Sequence, residues 1–384
     1  MDLPEIRFNV PALEGSEFDY IKASVESGHT SAGGPFSRRA AAYLQQATGA
    51  EEVLLTTSCT SALELSALLL DLQPGDSVIV PSFTFTTTAL AFARQGAKIL
   101  FCDIEAETLG MDPAHLSSLL DDSVRAVVPV HYAGVACNME GIAKALADRP
   151  EIVVIEDNAH ALYGRWRDRP LGSLGQLASQ SFHETKNFTC GEGGALVINE
   201  PQYVDRARVL YDKGTNRRAF FLGQVDKYSW KDTGSSFGLS DTLAAYLCAQ
   251  LERHEVIQAK RKAVFDRYAD LLAPHAAALG VRLPMVPPDC ESAYHMYYLL
   301  LPDRRTRDSV LAGMRERGVQ ATFHYVPLHS SEAGRRFAAR PTECPVSDDI
   351  SGRLLRLPFY NNLTDAEAHR VVDALVGAAV VAAA

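Results

Sequence analysis

A chain of 384 residues, 47% apolar and 22% charged, is long enough for one large and one smaller domain with a substantial core. Its formal charge of -10 excludes the basic field that nonspecific nucleic-acid binding needs, while leaving room for an anionic small molecule beside a local Lys/Arg cluster. Seven scattered cysteines, odd in number and without a C-x-x-C pair, read as reduced thiols rather than as disulfides or a zinc site.

The first residues, Met1-Asp2-Leu3-Pro4-Glu5, lack a basic-then-apolar signal pattern, which implies a cytoplasmic protein. Two amphipathic helices are expected over 18–27 and 37–48, separated by Gly28 and Gly33-Gly34. Short apolar runs at 53–55, 78–80, 98–101, 126–130 and 152–155 then alternate with helix-length segments at 61–72, 87–95, 113–121 and 139–148. Such alternation predicts an α/β fold with a parallel sheet covered on both faces. Ligands of such sheets sit at the carboxyl ends of the strands. A further buried strand is expected at 195–198, and a long helical stretch at 240–272 leads into a second domain. There Pro284, Pro287 and Pro288 break the pattern before a strand at 294–301, a helix at 307–317 and a last helix from Asp365. The expected domains are therefore 1–250 and 251–384. The apolar end, 371–384, is too short for a bilayer and is interrupted by Asp373 and Gly377, so no membrane association is expected.

Chemistry is sought after each strand. Thr57-Ser58-Cys59-Thr60 runs into a helix, where small hydroxyl residues serve either as N-caps or, with the free N–H groups, as a phosphate cradle. Neither G-x-G-x-x-G nor G-x-x-x-x-G-K-[ST] occurs. Phe85 either joins the core or lies against a planar ring. Asp157, at the end of 152–155, needs a cation: an arginine or a ligand's protonated nitrogen. Lys186, between Ser181 and the turn Gly191-Glu192-Gly193-Gly194, is either a solvated loop lysine or an amine that forms an imine with a carbonyl. A phosphate site, a ring-stacking aromatic, an acid and a lysine together meet the needs of pyridoxal 5'-phosphate. The acid stabilises the protonated pyridine nitrogen, which draws electrons from the carbon next to the imine.

On these residues the chain resembles the fold-type I pyridoxal-phosphate enzymes, and more narrowly the DegT/StrS-type sugar aminotransferases, over essentially its whole length. The resemblance is carried by 54–60, 130–137, 181–187, 213–217, 223–228 and 323–329. Within the family it is similar to the dTDP-4-keto-6-deoxyglucose 4-aminotransferases. The resemblance implies a large domain with a mostly parallel, seven-stranded sheet and a smaller α+β C-terminal domain. It also implies that Lys186 bonds the cofactor and Asp157 pairs with its ring nitrogen. Phe85 would stack on the ring, with His160 near the ring hydroxyl. Ser58, Cys59, Thr60 and Ser181 would hold the phosphate. A homodimer with composite sites is implied, with Ser236 where the family places an asparagine that reaches the partner's phosphate. A related dehydratase branch has His at the Lys186 position, so Lys186 favours amino transfer.

The implied substrates are a nucleotide sugar and glutamate as amino donor. Candidate substrate contacts are His183, Lys213, Asn216, Arg217, Tyr228, His324 and His329. The cluster Lys213, Arg217 and Arg218 either meets the diphosphate or forms a solvated loop, and His183 either lines the site or packs structurally. His324 and His329 suggest a metal pair, but no Cys or carboxylate cluster completes one, so no metal is expected and a sugar-site role is preferred. The rival readings are a 3-aminotransferase acting on a 3-keto sugar and a non-catalytic regulatory protein that binds cofactor or sugar.

Overall fold

The computed structural model describes residues 4–383. Its main sheet contains β1 (Glu52–Thr56), β2 (Ser77–Pro81), β3 (Lys98–Cys102), β4 (Val124–Val127) and β5 (Val153–Asp157). A small hairpin follows, β6 (Arg165–Trp166) and β7 (Arg169–Pro170), before β8 (Leu177–Ser181) and β9 (Gly194–Ile198) complete the main sheet. The order across it is β1-β9-β8-β5-β4-β2-β3, parallel throughout except at β9, which runs antiparallel to both neighbours. Beyond it, β10 (Cys290–Glu291) pairs with β6, and β11 (Tyr298–Leu300) with β12 (Leu354–Arg356). The expected α/β sheet is present, and its strands are apolar because helices cover both faces.

Three elements depart from the expected bounds for local reasons. The strand within 126–130 ends at Val127, although Val128 N–H still reaches Ile79 O, because Pro129 has no N–H to give; a lone bridge joins Val130 to Asp157. The helical stretch 240–272 is two helices, Asp241–Glu252 and His254–Leu279, meeting at the non-helical Arg253. The strand at 294–301 begins only at Tyr298, since Tyr294 has a left-handed φ of 50°.

Two buried aspartates fasten remote helices. The helix Pro35–Thr48 starts at Gly34, which has no side chain to cap with. Asp241 caps it instead, accepting from Ser37 N–H at 2.7 Å and from the Ser37 hydroxyl at 2.8 Å. A Cβ on Gly34 would lie 2.3 Å from Asp241 Cγ, so the cap needs glycine there. Asp103, just after β3, likewise accepts from the Val346 and Ser347 N–H groups of the helix Pro345–Arg353. That contact ties the main sheet to a second core, which gathers Tyr268, Leu299, Val310, Leu355 and Leu375 and also takes in Ile6 from the N-terminal segment.

Glu156 on β5 is a buried acid with no exposed surface. It accepts from Gly172, Leu174 and Gly175 N–H groups at 2.8, 2.6 and 2.7 Å and from His131 Nε2 at 2.7 Å. Cys137 N–H donates to His131 Nδ1, which fixes the proton on Nε2. Burial would raise the Glu156 pKa, but the His131 and backbone donors outweigh it and hold the carboxylate below its ordinary value. Glu156→Gln is expected to cost about 3 kcal/mol, because the amide turns an N–H against N–H donors. A depressed folded pKa stabilises above the unfolded value of 4.5 and is lost as pH falls through the folded one. Urea denaturation should therefore show the largest gap between variant and parent at neutral pH, narrowing below pH 4.5.

Candidate active site

Each candidate cofactor residue follows from a strand end. β1 leads to Ser58, the N-cap of the helix Cys59–Leu69, whose Oγ accepts from Ser61 N–H at 3.1 Å. The first N–H groups of this helix, at Cys59 and Thr60, have no carbonyl four residues back within it and lie at its positive dipole end. Gly194, the first residue of β9, packs directly behind them: a Cβ there would lie 2.3 Å from Ser58 C and 2.4 Å from Cys59 N. Gly194 is opposite Thr56 on one side and Ser181, the last residue of β8, on the other. The absence of a side chain at 194 thus lets Ser181 and the helix start share one edge.

After β2, Phe85 is the N-cap residue of the helix Thr86–Ala93 and is 56% exposed, so its face is open rather than in the core. Its ring centroid lies 6.3 Å from that of Tyr325. Thr88 on the same helix donates to Asp157 Oδ2 at 2.7 Å, and Ala159 N–H donates to Oδ1 at 3.2 Å. Asp157 is 6% exposed, and no cation among the described residues forms an ion pair with it. Those two donors hold the carboxylate and leave it capacity for a protonated nitrogen.

His160, three residues on, is buried and stacks on His295 with centroids 4.2 Å apart. His295 Nδ1 donates to Asn187 Oδ1 at 2.8 Å, and Asn187 Nδ2 donates to Ala293 O, so the residue after Lys186 is clamped to the chain entering β11. Burial, with the Lys186 charge next, holds His160 well below the ordinary imidazole range and hence neutral. Burial likewise lowers Lys186 to about 8; Arg356 pushes the same way, while Asp157 opposes. At pH 7 about one-tenth of such an amine is unprotonated, against about three in ten thousand for an ordinary lysine. Burial, then Asp157, pushes the Cys59 thiol up to about 12, so it stays protonated beside the lysine.

His183 is partly exposed, its Nδ1 2.9 Å from Thr185 Oγ1, on the turn that ends at Lys186. His324 Nδ1 lies 3.0 Å from Tyr132 OH, and its ring stacks on Tyr325 at 3.5 Å. His329 Nδ1 is 2.7 Å from Ser82 Oγ, and its Nε2 3.6 Å from Asp348. Lys213, Arg217 and Ser236 lie elsewhere. They line a cavity of about 1020 Å³ with His29, Arg38 and Tyr211, and its walls do not include Lys186. Asn216 closes the adjoining loop by accepting from Ser229 N–H at 2.7 Å, and Tyr228 is exposed against Phe220. The Arg218 side chain lies outside the described residues. Residues with no role in the sequence reading also converge here: Thr88, Tyr132, His295, Tyr325 and Arg356. Only Arg356 left a signal, as a lone cation in Leu354-Leu355-Arg356-Leu357-Pro358.

The residues fit pyridoxal phosphate on structural grounds. His160 Nδ1 and Ser179 Oγ are buried without a hydrogen-bond partner, and the Gly194 gap opens the helix start to an anion. An open aromatic face, a carboxylate with capacity for a cation and a lysine of lowered pKa stand near the same strand ends. This is the arrangement of the fold-type I enzymes, which use pyridoxal 5'-phosphate. The DegT/DnrJ/EryC1/StrS aminotransferase family matches residues 11–376, and the chain belongs to that family. It is 30% identical over 379 residues to the spore coat polysaccharide biosynthesis protein SpsC of Bacillus subtilis, covering 96% of this chain and 95% of that one. The crystal structure of the aminotransferase TlmJ from Streptoalloteichus hindustanus superposes with a TM-score of 0.90 at 28% identity, covering 99% and 100% of the two chains. The pyridoxal-phosphate form of the putative sugar aminotransferase Spr1654 from Streptococcus pneumoniae shares the fold, with a TM-score of 0.90 at 23% identity over 98% and 99%.

The rate at which apoprotein captures pyridoxal phosphate, followed by cofactor absorbance, is expected to rise with pH around a midpoint near 8, because only the neutral amine attacks. A midpoint at the ordinary 10.5 would contradict the burial of the amine. Lys186→Ala should abolish both the absorbance change and turnover.

Proposed function

We propose that this aminotransferase moves the amino group of glutamate to C4 of a nucleotide-linked sugar, dTDP-4-keto-6-deoxy-D-glucose, giving a dTDP-4-amino-4,6-dideoxyhexose. The arrangement that carries the reading is Lys186 on the turn after β8 and, at the end of β5, Asp157, held by Thr88 and Ala159 and without an ion pair among the described residues. The similarity to SpsC, named for polysaccharide biosynthesis, supports a sugar as acceptor. The segment resemblances at 213–217, 223–228 and 323–329 support a nucleotide sugar with a C4 ketone.

When bound, pyridoxal phosphate supplies an electron-withdrawing ring that makes loss of a proton from the neighbouring carbon feasible. Asp157, oriented by Thr88 and Ala159, keeps a proton on the ring nitrogen. Phe85 offers its open face to the ring, and the Cys59 and Thr60 N–H groups with the Ser58 and Ser181 hydroxyls take the phosphate. His160, held neutral, has a buried, unpartnered Nδ1 that would serve the ring hydroxyl. Lys186 is nucleophile and proton carrier; a pKa near the working pH suits it to take and return the proton at C4. His183 and His324, with His329 on the outer wall, frame the sugar. Lys213, Asn216, Arg217, Tyr228 and Ser236 belong to the other face, where a second copy completes a composite site and the basic side chains meet the diphosphate.

Turnover of dTDP-4-keto-6-deoxy-D-glucose with glutamate is expected to release 2-oxoglutarate and a product whose nitrogen NMR places on C4. Nitrogen on C3, from a 3-keto substrate, would move the assignment to the other ring position. A protein that binds cofactor yet releases no 2-oxoglutarate would be a binding protein. In the same assay Asp157→Asn should keep its cofactor and lose at least about 100-fold in rate.

A further inference from the structure

Arg261 commits a buried charge to two backbone carbonyls. It lies in the helix His254–Leu279, is 3% exposed, and holds its guanidinium carbon 4.8 Å from the centroid of the Phe359 ring in the second core. Among the described residues no carboxylate forms an ion pair with it. Its donors go instead to Tyr294 O from Nε at 2.8 Å, to His295 O from Nη2 at 2.6 Å and to Asn361 Oδ1 from Nη1 at 2.9 Å. The left-handed φ of 50° at Tyr294 turns the chain so that two successive carbonyls meet one fork of donors. The same turn sends two groups to one side chain. His295 Nδ1 donates to Asn187 Oδ1 at 2.8 Å, and Asn187 Nδ2 donates to Ala293 O at 2.6 Å, so both ends of a buried amide are held. Asn187 follows Lys186, whose own N–H closes its turn on His183 O at 2.9 Å. A continuous set of contacts thus runs from the second core to the residue that carries the amine. A desolvated cation is costly, and apolar side chains would pack this helix face at less cost. What the charge secures is one conformation of residues 293–295.

We propose that Arg261 is a positioning residue for the Lys186 amine, acting through residues 293–295 and Asn187. It touches neither cofactor nor substrate in this role. Asn187 transmits the effect, because a side chain bonded at both ends resists any shift of the peptide it shares with Lys186. The other cofactor groups come from elements that this clamp does not hold. The phosphate cradle stands at the start of the helix Cys59–Leu69 and the end of β8, and Asp157 ends β5, where Thr88 and Ala159 fix it. Loss of the clamp should therefore misplace the amine and leave the rest of the site in order. The role rests on the reading of Lys186 as the amine that takes the cofactor.

The test compares full-length apoprotein of the parent, Arg261→Met, Arg261→Lys, Asn187→Ala and the double variant Arg261→Met/Asn187→Ala. The rate of pyridoxal phosphate capture is read from cofactor absorbance, and the affinity for pyridoxamine 5'-phosphate by calorimetry. The second compound carries an amine in place of the aldehyde and forms no bond with a lysine, so its affinity reports the rest of the site. Arg261→Met and Asn187→Ala should each slow capture by about 100-fold, the scale on which a misplaced reacting group loses rate, and keep pyridoxamine phosphate affinity within about three-fold. The double variant should be no slower than the slower single, because both changes break one link. Arg261→Lys should recover part of the rate, since it keeps the charge without the fork. Capture unchanged in Arg261→Met, capture and pyridoxamine phosphate affinity lost together, or losses that multiply in the double variant would each overturn the proposal. Should Arg261→Met not fold, Arg261→Lys takes its place in the cycle, with the same outcomes deciding. If the parent fixes its cofactor on a lysine other than Lys186, the reading of Lys186 fails by itself. Hydrogen exchange at the Lys186 amide then decides the clamp: it should quicken in Arg261→Met while the β9 amides keep their rates, and exchange unchanged at Lys186 would overturn it.

Discussion

Glu156 is the constraint on which the site depends. A strand sends successive side chains to opposite faces, so anchoring Glu156 on one face of β5 fixes Asp157 on the other. The three N–H groups that Glu156 accepts belong to the loop 172–175, which leads into β8. Gly175 has no room for a side chain there, since a Cβ would lie 2.5 Å from Val154 O. One carboxylate therefore sets the register of β5 against the approach to β8, and β8 in turn delivers Ser181 and the turn that carries Lys186. The ion takes no part in the chemistry, yet it holds both the strand end that carries the acid and the approach to the turn that carries the amine.

The chamber above that anchor is dominated by desolvation. His160, His295 and His324 are all driven neutral by burial, and the Cys59 thiol is held protonated. Lys186, Arg356 and Asp157 are the groups left to carry charge, two cations to one anion. Such a balance favours anionic ligands while leaving the lysine close to the pH at which it exchanges its proton. The protein is acidic as a whole, so this local excess comes from placement and not from composition.

Much of this was legible in the sequence, and the reasons differ from element to element. β1, β2, β3 and β5 announced themselves as apolar runs because a sheet covered on both faces buries every side chain. β8 did not, because Ser179, Gln180 and Ser181 break its apolar run while remaining within a buried strand. Lys186, Asp157 and Phe85 could be singled out because each stands at or shortly after a strand end and would answer a separate demand of one cofactor. Thr88 and His295 were not, since their roles depend on which helix or loop lies against Asp157 and Asn187, and that is set by packing. Lys213, Arg217 and Ser236 illustrate the limit of reading along a chain. They were grouped with the Lys186 residues by resemblance, whereas within one chain they line a separate cavity.

The most direct measurement is borohydride reduction of the pyridoxal-phosphate-loaded protein, followed by digestion and mass mapping of the modified peptide. The account predicts one cofactor per chain, covalently fixed at Lys186 in the peptide that carries Ser181 to Asn187. Cofactor fixed on another lysine, or none retained after reduction, would contradict it.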